Sequence, residues 1–260
     1  MLTADSITVK GRHEQLVAPT SMQLQRGELQ LLVSEPQISR TALALVLSGR
    51  MKPSSGMVSW NSEPKLEYLR KHSALVDSPQ ISEPESHLRV RDLVAEDLAL
   101  TPGPFWRKPS AKKWMARHGF SDIAKGWTDA IDPLRLFELQ LMLAAENPVH
   151  ELLVVDSPDR HDLQDQSWLE TLEYFASSHR EFAVLAIVST LPQDWQQPDG
   201  LTELLEPATD HLPDPSTGFI QEELDLDFAP VPAGEPAAAS SDDFFPVEYP
   251  ADAVQHPAED

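Results

Sequence analysis

Between residues 29 and 50 the chain passes from a short apolar run, Leu29-Gln30-Leu31-Leu32-Val33, through the polar loop Ser34-Glu35-Pro36-Gln37-Ile38-Ser39-Arg40 into a second apolar run, Thr41-Ala42-Leu43-Ala44-Leu45-Val46-Leu47. The first run has the length and content of a strand. The second places Leu43 and Leu47 on one helical face suited to packing on a sheet. A strand that leads through a loop into a sheet-packed helix points to α/β architecture.

The rest of the chain supplies partners for that unit. Ile7-Thr8-Val9 and Ser21-Met22-Gln23-Leu24-Gln25 alternate as half-buried strands do, and Arg26-Gly27-Glu28 turns into the run at Leu29. Ser73-Ala74-Leu75-Val76-Asp77 reads as a short core strand, with Asp77 at its end either in a solvated turn or taking part in metal binding. Leu152-Leu153-Val154-Val155-Asp156 reads as a buried parallel strand with a carboxylate at its C-terminal edge, and residues 182–190 as a last core strand. Helical patterns cover residues 92–100, a segment closed by Gly119, and residues 163–178; Asp132 before Pro133 has the form of an N-cap with proline at the first helical position.

Aligned on the phosphate-loop pattern G-x-x-x-x-G-K-[ST], Ser34 and Ser39 stand at the two glycines, Arg40 at the lysine and Thr41 at the hydroxyl position. The phrase Ser48-Gly49-Arg50-Met51-Lys52-Pro53-Ser54-Ser55-Gly56-Met57-Val58 follows at once. With these residues the chain resembles the nucleotide-binding subunit of ABC transporters over about residues 5–195, landmark by landmark and in order.

The resemblance implies a P-loop fold with a helical insert near residues 88–146, and it implies positions for the chemistry. Asp156 falls at the metal-supporting aspartate and Ser157 at the catalytic glutamate; Ile131-Asp132-Pro133-Leu134-Arg135 falls at the signature Leu-Ser-Gly-Gly-Gln, and Thr190 at the γ-phosphate-sensing histidine. Ser34, Gln37 and Ser39 stand where the family usually has glycine, and glycine is what lets backbone N–H groups close on phosphate without side-chain bulk. Glu35 adds negative charge and Pro36 removes a donor. Arg40 keeps a cation, and Thr41 and Asp156 keep oxygens that suit Mg²⁺, so the expectation is weak ATP and Mg²⁺ binding at most. Hydrolysis asks for positioned water, metal and charge stabilisation together, and a serine does not act unaided as the general base.

Charge divides the chain. The net charge is −22, yet residues 201–260 hold fifteen acidic residues and no Lys or Arg, leaving residues 1–200 at −7. Residues 1–206 therefore read as the ABC-like domain and residues 207–260 as an acidic, Pro-rich tail, disordered by composition, whose interspersed aromatics also suit a docking peptide. Residues 107–113 make the one local basic stretch, read as a solvated helix start; nothing else favours nucleic acid. There is no cysteine, which excludes disulfides and thiol chemistry, and no apolar run approaches the ~20 residues that cross a bilayer.

The expectation is a non-hydrolysing ABC-like subunit in the cytoplasm, a dimer-former held at the membrane through an integral membrane protein or an active ATPase paralogue rather than by inserting itself. Two other readings stay open: a divergent but active transport ATPase organised by Arg40, Thr41 and Asp156, and an adaptor acting through its tail.

Overall fold

The computed structural model describes residues 1–196 apart from Phe105, Arg107, Asp162 and Asp194; the expected tail lies outside the described residues. Among the described residues, seven strands form two sheets. β1 (Leu2–Lys10), β2 (Gln15–Leu24) and β4 (Ser55–Trp60) make an antiparallel sheet in the order β2-β1-β4. β3 (Leu29–Val33), β5 (Ser73–Val76), β6 (Leu152–Asp156) and β7 (Ala183–Val188) make a parallel sheet in the order β3-β7-β6-β5. Helices α1 (Gln37–Leu47), α2 (Leu66–His72), α3 (Val90–Leu100), α4 (Ala111–His118), α5 (Pro133–Glu146) and α6 (Asp165–Ser177) complete the order.

The parallel strands are apolar throughout because both faces of their sheet are covered. Successive side chains alternate between two cores: Leu152 and Val154 of β6 join α1 and the antiparallel sheet, whereas Leu153 and Val155 join Phe137 of α5 and Trp168 of α6. β7 divides in the same way, Leu185 and Ile187 to one side and Val184 and Ala186 to the other. A third core lies in the helical insert, where α3, α4 and α5 enclose Val94, Trp114 and Leu139. The indole of Trp114 is fully buried, and its N–H is satisfied by Glu146 Oε2 at 2.8 Å.

The expected α/β architecture is present, and the structure adds a separate antiparallel sheet. β1 and β2 are joined by a short turn across residues 11–14, which permits only antiparallel pairing. Both are longer than their alternation suggests, since a bulge at Ser6 (φ +47°) interrupts the pattern partway along β1. In the phrase after α1, Gly49 (φ +71°) and Gly56 (φ +78°) have structural work. A Cβ on Gly49 would lie 2.7 Å from the Leu66 carbonyl oxygen, and one on Gly56 2.4 Å from that of Asp5. These glycines seat the turn after α1 and β4 against their neighbours.

Candidate functional site

In a parallel sheet, ligands bind beyond the carboxyl ends of the strands. Here that edge gathers the β3–α1 loop, Asp156 at the end of β6, Ser157 after it and Ser78 after β5. α1 begins at Gln37, two residues ahead of Ser39, so only residues 34–36 connect strand to helix. Half of the span between the two glycine positions is therefore helix, where a phosphate cradle uses exposed loop N–H groups. The N–H groups of Ser39 and Arg40 are both turned onto the Pro36 carbonyl, at 2.8 and 3.2 Å, and that of Ser34 onto Val188 O of β7 at 3.1 Å.

Arg40 does not point outward. It is 8% exposed, and its guanidinium is shared among four groups of its own chain. Nε donates to Ser157 Oγ at 2.9 Å, Nη2 to Gln37 Oε1 at 2.7 Å, and Nη1 to Ser34 O at 3.2 Å while pairing with Glu35 Oε1 at 2.6 Å. The Glu35 carboxylate, 57% exposed, thus lies beside the cation at the mouth of the loop. It occupies the partner that a phosphate would need.

Asp156 is fully buried, and both carboxylate oxygens are engaged. Oδ2 accepts from Thr41 Oγ1 at 2.8 Å and Ser78 Oγ at 2.7 Å; Oδ1 accepts from Ser157 Oγ at 2.8 Å and Gln37 Nε2 at 3.2 Å. Gln37 Nε2 also lies 2.9 Å from Ser157 Oγ, which closes the cluster between α1 and β6. Ser157 holds φ at +60°, a conformation costly for a residue with a Cβ, and the hydrogen bonds of its hydroxyl keep it there. Donors and acceptors in this cluster satisfy one another.

Five of the six residues expected from the sequence meet here. Gln37, Arg40, Thr41 and Asp156 do so through side chains, and Ser34 does so through its carbonyl. Ser39 is carried into α1, buried, and stands apart from the cluster. Two members were not anticipated as binding partners, Ser78 and Ser157. Their signal was available: each is a hydroxyl residue within two positions of the end of a parallel strand, where the sheet collects its polar groups.

Asp77 corrects the sequence reading. It is 1% exposed rather than solvated, because Arg160 and His161, in the turn Pro158–His161 after β6, close over it. Arg160 Nη2 lies 2.9 Å from Asp77 Oδ1 and 3.1 Å from Glu83 Oε2, and His161 Nε2 lies 2.5 Å from Asp77 Oδ2. A turn after β5 looked solvated because the residues covering it arrive from more than eighty positions away. Gln80, the other polar residue of that turn, is exposed and bonds only locally, through its N–H to Glu83 Oε1. At the sensing position Thr190 is exposed.

As arranged, the cluster does not fit Mg-ATP. A divalent ion there would have to take oxygens from Thr41 and Asp156 that already hold each other. Three clefts of about 440, 220 and 350 Å³ lie elsewhere, and residues 34–41 line none of them.

No protein-family model matches this sequence, and no curated protein matches it. Solved structures do resemble it. CbiO1 from Clostridium perfringens, part of the ABC transporter complex CbiONQ, is 15% identical over 72% of this chain and 77% of its own, with a TM-score of 0.52. The dimeric bacterial ABC transporter cassette MJ0796 is 12% identical over 73% of this chain and 88% of its own, with a TM-score of 0.56. A post-hydrolysis dimer of MJ0796 bound to ADP and Pi gives 11% identity, the same coverage and a TM-score of 0.56. The chain has the ATP-binding-cassette fold, and at these identities the likeness is one of fold.

Proposed function

We propose that this chain is a non-hydrolysing ABC-type subunit, a structural or regulatory partner of a membrane transporter complex or of an active ATPase paralogue. The observation that carries this reading is the closure of the loop on itself: Arg40 and Asp156, the two groups best able to hold phosphate and metal, are saturated by their own neighbours. Serine at position 157, the absence of the signature glycines at 131–135 and threonine at position 190 point the same way.

A subunit of this kind contributes geometry rather than turnover. Its fold neighbours include a dimer and a component of a transporter complex, which supports a cytoplasmic, membrane-peripheral role in a dimer with a competent cassette. Among the described residues no helix is long and apolar enough to cross a membrane.

The test is calorimetric titration of Mg-ATP into the full chain, with Mg²⁺-dependent phosphate release measured in parallel. The expected result is no heat and no thermal stabilisation at millimolar ATP, and no phosphate release. Micromolar binding lost in both Arg40→Ala and Asp156→Ala, with turnover, would establish an active ATPase instead.

A further inference from the structure

In a chain of net charge −22, residues 98–121 carry five Lys or Arg and not one acidic residue. They run from the end of α3 through a Pro-Gly-Pro turn to the close of α4. Leu100 and Trp106 are 81% and 72% exposed, and around Gly103 an added Cβ would meet nothing within 4 Å. The end of α3 and the turn after it thus expose two large apolar side chains. Lys108 Nζ donates to the Ala99 carbonyl, which brings a cation beside Leu100.

α4 extends the same surface. Trp114 and Met115 face the insert's core, while Lys112, Lys113 and Arg117 are exposed. Among the described residues none of these, nor Lys108, takes part in an ion pair. Lys112 and Lys113 occupy the first turn of α4, which holds no acidic residue. Cations there oppose the helix dipole, so they are placed against helix stability.

We infer that the surface carrying Leu100, Trp106, Lys108, Lys112, Lys113 and Arg117 is an adsorption site for an anionic lipid membrane, with Trp106 and Leu100 entering the interfacial layer and the four cations meeting the headgroups. An exposed indole beside cations suits the headgroup region of a bilayer. The acidic remainder of the chain does not cancel the attraction, because charges beyond ~10 Å are screened at physiological ionic strength. Glu96 and Asp97, one turn before Leu100 on α3, are the nearest acidic residues in sequence and bound the patch on that side. The contact lies on the membrane and does not span it. It is independent of whether the loop at residues 34–41 binds nucleotide.

The experiment is flotation of the full chain with phosphatidylserine-rich and with phosphatidylcholine vesicles, at low and at high salt. Partition onto the anionic vesicles only, weakened by salt, is expected. Each neutralised cation lowers it about fivefold, so Lys112→Gln with Lys113→Gln costs about 25-fold. Trp106→Ser is expected to lower partition at both salt concentrations, since its share is apolar. These substitutions are on exposed positions, and circular dichroism checks that the fold is kept. No partition onto anionic vesicles, equal partition onto both kinds, or partition unchanged in the variants overturns the proposal. So does capture by an acidic polypeptide without vesicle binding, which would assign the surface to a protein partner.

Discussion

The two edges of the parallel sheet are closed by different means. At the carboxyl edge Asp156, Ser157, Ser78 and Arg40 are all buried, and their bonds run mainly between side chains, with Gln37, Thr41 and Glu35 as the more exposed partners. At the amino edge Arg26 pairs with Glu151 at 3.0 Å with 42% and 28% of their side chains exposed. Arg180 donates there to the backbone carbonyls of Asn147 and His150, and Trp60 Nε1 donates to Glu151 Oε2 at 3.0 Å. An amino edge tied off in this way is ordinary scaffolding. The carboxyl edge is the one at which ligands bind in parallel sheets of this kind. On the proposed reading the carboxyl edge serves as scaffold too, bonded side chain to side chain where the amino edge is bonded largely to backbone.

The largest effect should follow from Asp156→Ala. It leaves the hydroxyls of Thr41 and Ser78 without their acceptor and removes a contact of Ser157 and of Gln37, at a cost of about 3 kcal/mol. In a domain of this size that lowers the melting temperature by roughly 6–12 °C. A loss-free Asp156→Ala would mean that the cluster is open and solvated, and the two edges would then be alike.

Next in size is the pair Thr41→Val and Ser78→Ala, each expected to cost about 1–2 kcal/mol in denaturant unfolding. Both hydroxyls donate to the same oxygen, Asp156 Oδ2. The double variant orphans that oxygen, so its cost should exceed the sum by about 0.5–1 kcal/mol. Strict additivity would show that the two hydroxyls act separately.

These two edges were not equally legible in the sequence. The strand at 152–156 ending in a carboxylate and the loop at 34–41 could be read directly, since apolar runs and chain order carry that information. The altered residues at 34, 37, 39, 40 and 157 could be read as losses against a pattern. That they bond to each other could not, because the distances between Arg40 and Ser157 or between Ser78 and Asp156 depend on a fold that joins positions 117 and 78 apart. Asp77 was misplaced for the same reason: its cover comes from the turn after another strand. The amino edge left no motif at all. Arginines bonding to backbone carbonyls have no preferred spacing.

The amino edge should show itself first by pH. His150 Nδ1 lies 2.8 Å from the Ala144 carbonyl oxygen, and the Asn147 amide lies 2.9 Å from Nε2, so the neutral ring donates at Nδ1 and accepts at Nε2. Protonation would set an N–H against the Asn147 donor. Burial chiefly, with Arg50 and Arg180 nearby, holds this imidazole below the ordinary histidine range, against the upward pull of the Ala144 bond. The unfolded chain takes up a proton near pH ~6.5 that the folded chain refuses. The stabilising share is therefore complete above that pH and declines as pH falls towards the folded value. Unfolding curves should lose stability on acidification through this window, and His150→Asn should flatten that loss; an unchanged slope would remove His150 from the account.

The smallest effect belongs to the exposed ion pair, and it decides whether the contrast between the edges is one of burial. Arg26→Met breaks the contact with Glu151 and the bonds from the guanidinium to the carbonyls of Arg180 and Glu181. Because both partners are solvent-shared, the released groups are rehydrated, and the loss should be about 0.5–1 kcal/mol. Salt should shrink it further, since exposed charges are screened, whereas the cost of Thr41→Val should be nearly salt-independent. Measured side by side in low and high salt, the two variants then separate by mechanism as well as size. If Arg26→Met costs as much as Asp156→Ala and is indifferent to salt, burial is not what distinguishes the edges, and the closure at Asp156 loses its standing as a specialised feature of this chain.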